Sequence, residues 1–502
     1  MATAITSAAL GGICARMLRV EADASSGLPS FTIVGLPDAA VSESRDRVRP
    51  AIKNSGFSFP GGRVTVNLAP ADSKKQGSAY DLPIAAAILA ECGFLPRLPK
   101  NAILVGELSL DGAVRPIPGV LAVAELARES NAPFLFVPVE NAAEAALVPG
   151  VKIIPVPSLL ALAEHLNGAA PIAPVPHHLP ELANEVWETD FAAIRGQKTA
   201  KRVLTIAAAG GHNVIMSGPP GSGKTMLSHA LPGILPPLTY NEALEITRIY
   251  SAAGLLAGRG LVKSRPFRHP HHSASAVAIV GGGAGARPGE ISLAHRGVLF
   301  MDEFPEFPRS VLEHLREPLE DGTITVSRAA GTNTYPAKFL LVAAKNPCPC
   351  GYANDPQINC TCAPHRLDFY KKKLSGPLLD RIDLSAEVPR QTWDELTKGG
   401  DGENSDKVRA GVIMSRALQA ARYAGTNIVA NGELPARLLE KFCPLTASAH
   451  KIIALAVDRF RLSARSYHRL LKVGRTIADL DNAEIISETH ITEALQYRPR
   501  NE

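Results

Sequence analysis

Aromatic residues are scarce in this 502-residue chain: they make up 5% of it, and only two are tryptophan. The apolar share of 46% therefore rests on Ala, Val, Leu and Ile, which suits helices and buried parallel strands. No apolar run approaches the roughly 18 residues of a membrane helix, so no membrane partner is expected. Cysteine is sparse and unevenly placed, with four of the seven crowded into 348–362. That is no evenly spaced disulfide framework, and it points to a reducing, cytoplasmic setting. Met1 to Cys14 is apolar but has no basic residue ahead of it, so it reads as an opening β-strand rather than a signal peptide. There is no internal repeat and no low-complexity tract. The net charge of +5 is compatible with a polyanionic partner without establishing one.

The length allows two or three domains. Residues 1–167 alternate strand-like and helix-like stretches. Phe31 to Val34 is a strand closed by Gly35-Leu36-Pro37, Asp38 caps a helix ending near Gly56, Val64 to Leu68 is a strand, and Tyr80 to Leu89 is a buried helix. Pro50 falls inside the second of these elements and is expected to kink it. Residues 168–188 open with four prolines in thirteen positions, a semi-rigid spacer. Residues 189–397 repeat strand, loop and helix as a doubly wound parallel sheet does. Residues 398–502 are helix-like behind a Gly/Asp/Glu-rich hinge, Lys398 to Ser405.

Val214-Ile215-Met216 runs into Gly218, Pro219, Pro220, Gly221, Ser222, Gly223, Lys224 and Thr225, and a helical pattern follows. This is strand, G-x-x-x-x-G-K-T loop, helix. Glycines let successive backbone N–H groups face phosphates, Lys224 meets the β/γ-phosphates of ATP, and the Thr225 hydroxyl ligates Mg²⁺. The later apolar strand Gly297 to Met301 ends in Asp302, for the magnesium, and Glu303, for the attacking water. Three more residues stand where a ring-forming ATPase needs them. Asn346 ends the strand Phe339 to Ala344 and reaches toward the γ-phosphate. Arg381 ends the apolar stretch Leu374 to Asp380 and is expected to act on a neighbouring subunit's nucleotide. Arg465 opens a C-terminal helix over the phosphates, with Arg469 as its rival. His269, His271 and His272 read as packing and turn residues.

Cys348, Cys350, Cys360 and Cys362 form C-x-C, nine residues, C-x-C. Two close thiolate pairs joined by a short loop can close a tetrahedral zinc shell, with Gly351, Asn354, Asp355 and Pro356 supplying turns. Two disulfides or an iron–sulfur cluster are the alternatives. The site is expected to stiffen a surface loop and to help present Lys371, Lys372 and Lys373 to DNA.

These motifs, in this order, resemble the Mg-chelatase-like branch of the AAA+ ATPases, and more closely the bacterial ComM/YifB family. The strings that carry the likeness cover nearly the whole chain: Val34-Gly-Leu-Pro-Asp-Ala-Ala, Val66-Asn-Leu-Ala-Pro-Ala, Pro288-Gly-Glu-Ile-Ser-Leu-Ala-His, Leu374-Ser-Gly-Pro-Leu-Leu-Asp-Arg and Lys472-Val-Gly-Arg-Thr-Ile-Ala-Asp-Leu. One departure is Arg296, where the family pattern suggests Asn. The resemblance implies an α/β protein with an N-terminal Lon-protease/S5-domain-2-like α+β domain, an AAA+ core and a C-terminal helical lid. It implies a homohexamer, nucleotide- and DNA-dependent, that acts on single- and double-stranded DNA and on recombinase-coated DNA. Its activity is then ATP-driven branch migration in natural transformation. Similarity to minichromosome-maintenance helicases suggests pore hairpins at 262–287 and 323–338, with Arg268 and Arg328 as DNA contacts. A metal-chelatase motor subunit and a Lon-like protease are the competing readings. The second is disfavoured because the nucleophile position falls on Ala79, with Ser78 one place off, and because Pro118 to Val123 supplies no lysine.

Overall fold

The computed structural model describes residues 3–499 except 72–74, 76, 97, 178–179, 183–186, 188, 257–259, 284–285, 329–330, 354–357 and 393–402. Most of the expected hinge at Lys398 to Ser405, and Asn354, Asp355 and Pro356 of the cysteine loop, therefore lie outside the described residues.

The chain opens with β1 (Thr3–Gly11), β2 (Cys14–Ser25), β3 (Ser30–Val34), β4 (Arg63–Ala69) and β5 (Ile103–Leu104). A small hairpin, β6 (Glu107–Leu108) and β7 (Val114–Arg115), precedes β8 (Phe134–Pro138) and β9 (Lys152–Val156). Seven of these make one mixed sheet ordered β3-β4-β2-β1-β5-β8-β9. The β1–β2 and β2–β4 pairs are antiparallel and the others parallel. The helix Asp81–Glu91 packs on it with residues 81–89 all buried, as its unbroken apolar run requires. Asp38 caps as expected, accepting from Val41 N–H at 2.8 Å. The single helix expected there is two, Ala39–Ser42 and Ser44–Asn54. The Ser42 hydroxyl donates to Asp38 C=O, a competing local bond that bends helices. Val175 of the proline-rich stretch bridges to Ile153, so that part of the spacer lies along the β9 edge.

A second sheet follows: β10 (Val214–Ser217), β11 (Phe267–Arg268), β14 (Val298–Met301), β17 (Leu340–Lys345) and β18 (Leu384–Glu387), with hairpins β12 (Gly281–Gly282)–β13 (Arg287–Pro288) and β15 (Thr323–Arg328)–β16 (Gly331–Pro336) between its strands. Its order is β11-β14-β17-β10-β18, all parallel. Every residue of β14 is buried, as befits a strand covered on both faces. Sequence order does not match spatial order, so β10, first in the chain, stands between β17 and β18 with its loop at the centre of one edge.

The cores cross these divisions. Val203, Ile206 and Val214 share one core with Val412, Leu470, Leu471 and Ile477 from the C-terminal helices. Leu238, Ala243 and Ile246 share another with Leu135 and Ile153 of the first sheet and Val120 of the helix Val120–Glu129. The helix Tyr240–Ala252 that carries this second contact starts with a full capping box, Thr239 and Glu242.

Candidate active site

Parallel pairing brings the C-terminal ends of β10, β14 and β17 to one edge, and the expected polar residues gather there. Lys224 Nζ donates to Gly218 O at 2.7 Å, Pro219 O at 2.9 Å and Asn346 Oδ1 at 3.3 Å. Burial holds its ammonium below the usual lysine range, with Asp302 opposing the shift. Thr225 Oγ1 donates to Asp302 Oδ2 at 3.0 Å, and Asp302 Oδ1 accepts from Glu303 N–H at 2.8 Å. Glu303 itself takes a left-handed backbone, φ 50°, where the chain turns off β14.

The loop fits a triphosphate with its metal. Gly221 and Gly223 sit at φ 75° and 95°, and a Cβ on either would enter open space, so their backbones border a free approach. Gly218 is packed tight instead, since a Cβ there would lie 2.1 Å from Val388 O. Ser222 Oγ is buried without a partner, and the Thr225–Asp302 pair is the donor set that Mg²⁺ bridges in phosphate loops.

Arg381 is elsewhere. In the β10–β18 register Val214 faces Leu384 and Ser217 faces Glu387. Arg381 precedes Leu384, so it stands at the N-terminal edge, where its carbonyl accepts from Asn213 Nδ2 at 3.2 Å. About 13 Å of strand separates it from its own chain's loop. Its guanidinium donates to Glu320 Oε2 and to Pro377 O. Arg465, expected over the phosphates, joins it there: Arg465 Nη2 donates to Glu320 Oε1 at 3.0 Å. The reason is packing, because the helix Ala464–Leu480 is anchored by Leu470, Leu471 and Ile477 in the core beneath the sheet, which sets its first turn beside Glu320. The rival Arg469 donates to Ile382 O at 2.6 Å and to Asp380 at 3.3 Å, so it braces the turn that carries Arg381.

Two expected DNA contacts fare differently. Arg268 belongs to β11, the edge strand of the sheet, rather than to a hairpin tip, and its Nε and Nη2 donate to Glu290 at 2.5 and 2.6 Å. The second expected hairpin is present as β15–β16, with Arg328 paired to Gly331 at its end. The Arg328 side chain lies outside what is described.

The four cysteines converge. Their sulfurs lie within 4.8 Å of one another, with Cys348–Cys350 at 3.2 Å, Cys348–Cys360 at 3.7 Å and Cys350–Cys360 at 3.6 Å. A tetrahedral shell with ~2.3 Å metal–sulfur bonds has edges of about 3.8 Å, so the donor set fits one zinc ion. Disulfide pairs would sit near 2.05 Å. Backbone N–H groups of Ala353 and Cys350 donate to Cys348 and Cys362 sulfurs at 3.2 and 3.4 Å. The cluster does not stand apart on a surface loop: Gly351 abuts Pro220. Of the following lysines, Lys373 is tied to Glu306 at 2.7 Å.

Some contacts escape sequence reasoning. His272 Nδ1 lies 2.9 Å from Glu303 Oε2, although the sequence suggested only a turn residue. Its signal was the His-Pro-His-His run directly after β11, the strand beside β14. Glu320, which gathers Arg381 and Arg465, had no signal. Arg296, the departure from the family pattern, has φ 58°, a conformation that Asn tolerates better, and is fixed by Glu245 at 2.8 Å. In the first sheet Ser78 donates to Glu107 and Lys75 to Pro70 O.

Known proteins match nearly the whole length of the chain. Residues 190–396 match the family described as magnesium chelatase, subunit ChlI, and residues 402–498 match its C-terminal family. Residues 20–141 match a family described as subunit ChlI of Mg-chelatase. The chain is 44% identical to competence protein ComM of Haemophilus influenzae, over 97% of this chain and 95% of that protein. It is 44% identical to YifB of Salmonella typhimurium, over 98% and 96%. The magnesium-chelatase 38 kDa subunit of Rhodobacter capsulatus is 25% identical, over 62% of this chain and 88% of that protein.

Proposed function

The chain belongs to the ComM/YifB family of magnesium-chelatase-like AAA+ proteins, and from that membership we propose an ATP-hydrolysing ring motor that moves on DNA and promotes branch migration. The observation that carries this reading is the split of the site. Lys224, Thr225, Asp302, Glu303 and Asn346 meet at one edge of the sheet, while Arg381 and Arg465 share Glu320 on the other side. One chain then offers half a site on each face, and a ring of copies, a hexamer in this reading, completes them. Bound ATP with Mg²⁺ supplies the cleavable phosphoanhydride and neutralises its charge. Lys224 leaves the Gly218 and Pro219 carbonyls to meet phosphate oxygens. Glu303, its side chain set by His272, orients water and takes its proton. Asn346 aligns the far end, and Arg381 with Arg465 reaches from the adjoining copy. Residues 1–167 act as a Lon-type domain without peptidase activity, 168–188 as linker, 189–397 as the ATPase core and 398–502 as the helical lid. The four cysteines hold a structural zinc.

DNA as the track rests on kinship with competence protein ComM and on the β15–β16 hairpin as a pore element. The chelatase reading keeps some support, because three chelatase families match. It is weaker because the 38 kDa subunit covers 62% of this chain against 97% for ComM. ATPase measured with and without DNA separates the two. Stimulation by single-stranded and forked DNA, with migration of a three-strand junction, is expected. Indifference to DNA together with stimulation by a porphyrin-binding partner would overturn the reading.

A further inference from the structure

The cysteine cluster touches the nucleotide edge at three points. The first is the chain itself: β17 leads through Asn346 and Pro347 to Cys348, a fully buried thiol two residues beyond the amide that meets Lys224. The second is Gly351, in the loop between the two cysteine pairs. It sits at φ 87°, its N–H donates to Cys348 O at 2.9 Å, and a Cβ built on it would lie 2.5 Å from Pro220 Cδ and 2.8 Å from Cγ. The cysteine loop is thus in direct contact with the middle of the phosphate loop, and only a glycine permits the approach. The third is the helix Pro364–Lys372, which begins two residues after Cys362. Its Tyr370 hydroxyl donates to the Asn346 carbonyl at 3.2 Å, and Lys373 beyond it pairs with Glu306, three residues past Glu303.

Cys348 and Gly351 are buried, while Cys360 is exposed and Cys350 and Cys362 are half-buried. Joining two pairs across a nine-residue loop by one ion removes chain freedom that the loop would otherwise keep. We propose that the Cys348–Cys350–Cys360–Cys362 centre, loaded with a soft divalent cation of the zinc type, is a clamp on the ATP site. Its occupancy sets the positions of Pro220 and Asn346, and so governs nucleotide affinity and turnover. The inference rests on the reading of the cluster as a metal site, and it extends that reading from a structural role to control of the motor.

The test uses the full-length protein purified without added metal. Metal content is measured first, and then the affinity for a fluorescent ATP analogue in constant Mg²⁺, before and after zinc is withdrawn by a chelator and after it is returned. About one zinc per chain is expected, with an affinity loss of about tenfold on withdrawal that zinc, and not further Mg²⁺, restores. Gly351→Ala supplies the second arm, because it should retain the metal yet weaken nucleotide binding by driving a methyl group into Pro220. Cys360→Ser should lose both metal and affinity; if that variant does not fold, chelation and Gly351→Ala decide the matter. Absence of metal, with four free thiols, removes the metal reading and this inference together. A zinc-bearing protein whose nucleotide affinity is unmoved by zinc withdrawal and by Gly351→Ala overturns the clamp and leaves the metal site standing.

Discussion

Asp81 and Asp302 each stand at the end of a largely buried element, yet their surroundings differ in kind. Asp81 opens the helix Asp81–Glu91 under the seven-stranded sheet and is saturated by its own chain. It accepts from Arg47 Nε at 2.7 Å, Arg47 Nη2 at 3.1 Å, the Ser44 hydroxyl and Leu108 N–H. Its side chain is fully buried, and burial raises its carboxyl despite the guanidinium beside it. Asp302 closes β14 at the edge of the five-stranded sheet, and there the polar atoms are partnered loosely. Lys224 rests on carbonyls of its own loop, Ser222 Oγ has no partner, and Glu303 is half exposed. A polar cluster that satisfies itself builds architecture. One that leaves a buried hydroxyl unpartnered and rests its lysine on its own loop's carbonyls is arranged for something that arrives.

Substitutions can break that contrast, and the largest effect belongs to Arg381. Arg381→Ala should lower ATP turnover by about 10³-fold or more, the scale of arginine fingers, with nucleotide binding retained. Mixing it with Lys224→Ala protein should restore part of the rate, since some interfaces then pair an intact loop with an intact arginine. If co-assembled mixtures never exceed either parent, Arg381 serves no neighbour. Glu303→Gln should follow, losing about 10²–10⁴-fold in turnover while still trapping ATP, because the phosphate cradle is spared. Normal hydrolysis by this variant would remove Glu303 from the reaction.

On the other side of the comparison, Asp81→Ala should leave nucleotide affinity per folded molecule unchanged. It should cost ~3 kcal/mol of stability by stranding the Arg47 guanidinium, as read in denaturant melts. A variant that binds ATP poorly while melting normally would show that the two regions are not separable in this way. The smallest effect concerns Glu245, on the helix whose Ala243 and Ile246 pack against the first sheet. A hydrogen bond from His295, then one from Arg296, holds its carboxyl down to about 2. Its folded value lies below its unfolded value of about 4.3, so its contribution is present above that value and is lost as pH falls toward 2. With 40% of the side chain exposed, about 1 kcal/mol or less is at stake. Glu245→Gln should flatten the acid limb of the stability curve by that much, and an unchanged limb would show that the pairing contributes nothing.

The phosphate loop, the Asp302–Glu303 pair and the strand ending at Asn346 were legible because each is written in contiguous residues. Asp38 as a cap and the β15–β16 hairpin were legible for the same reason. The break between Ser42 and Ser44 was not, since residues 38–54 read as one helical pattern and nothing local marks Glu43 as a boundary. Arg268 was misplaced because basic residues near a glycine-rich insertion look alike whether they reach solvent or are spent on Glu290.

By itself the sequence determined the chemistry of the short strings: where backbone could turn through Gly221 and Gly223, which strand would deliver carboxylates, and which four thiols could share an ion. Those properties depend on dihedral freedom and spacing within a few residues. Which edge of the sheet each group faces was decided only by the fold. Arg381 and Arg465 meet Glu320 across 61 and 145 residues of chain. His272 reaches Glu303 because β11 lies beside β14, and Gly351 reaches Pro220 because β17 lies beside β10. Such pairings are set by strand order and core packing, whose energies are summed over the whole molecule, and no local pattern carries them.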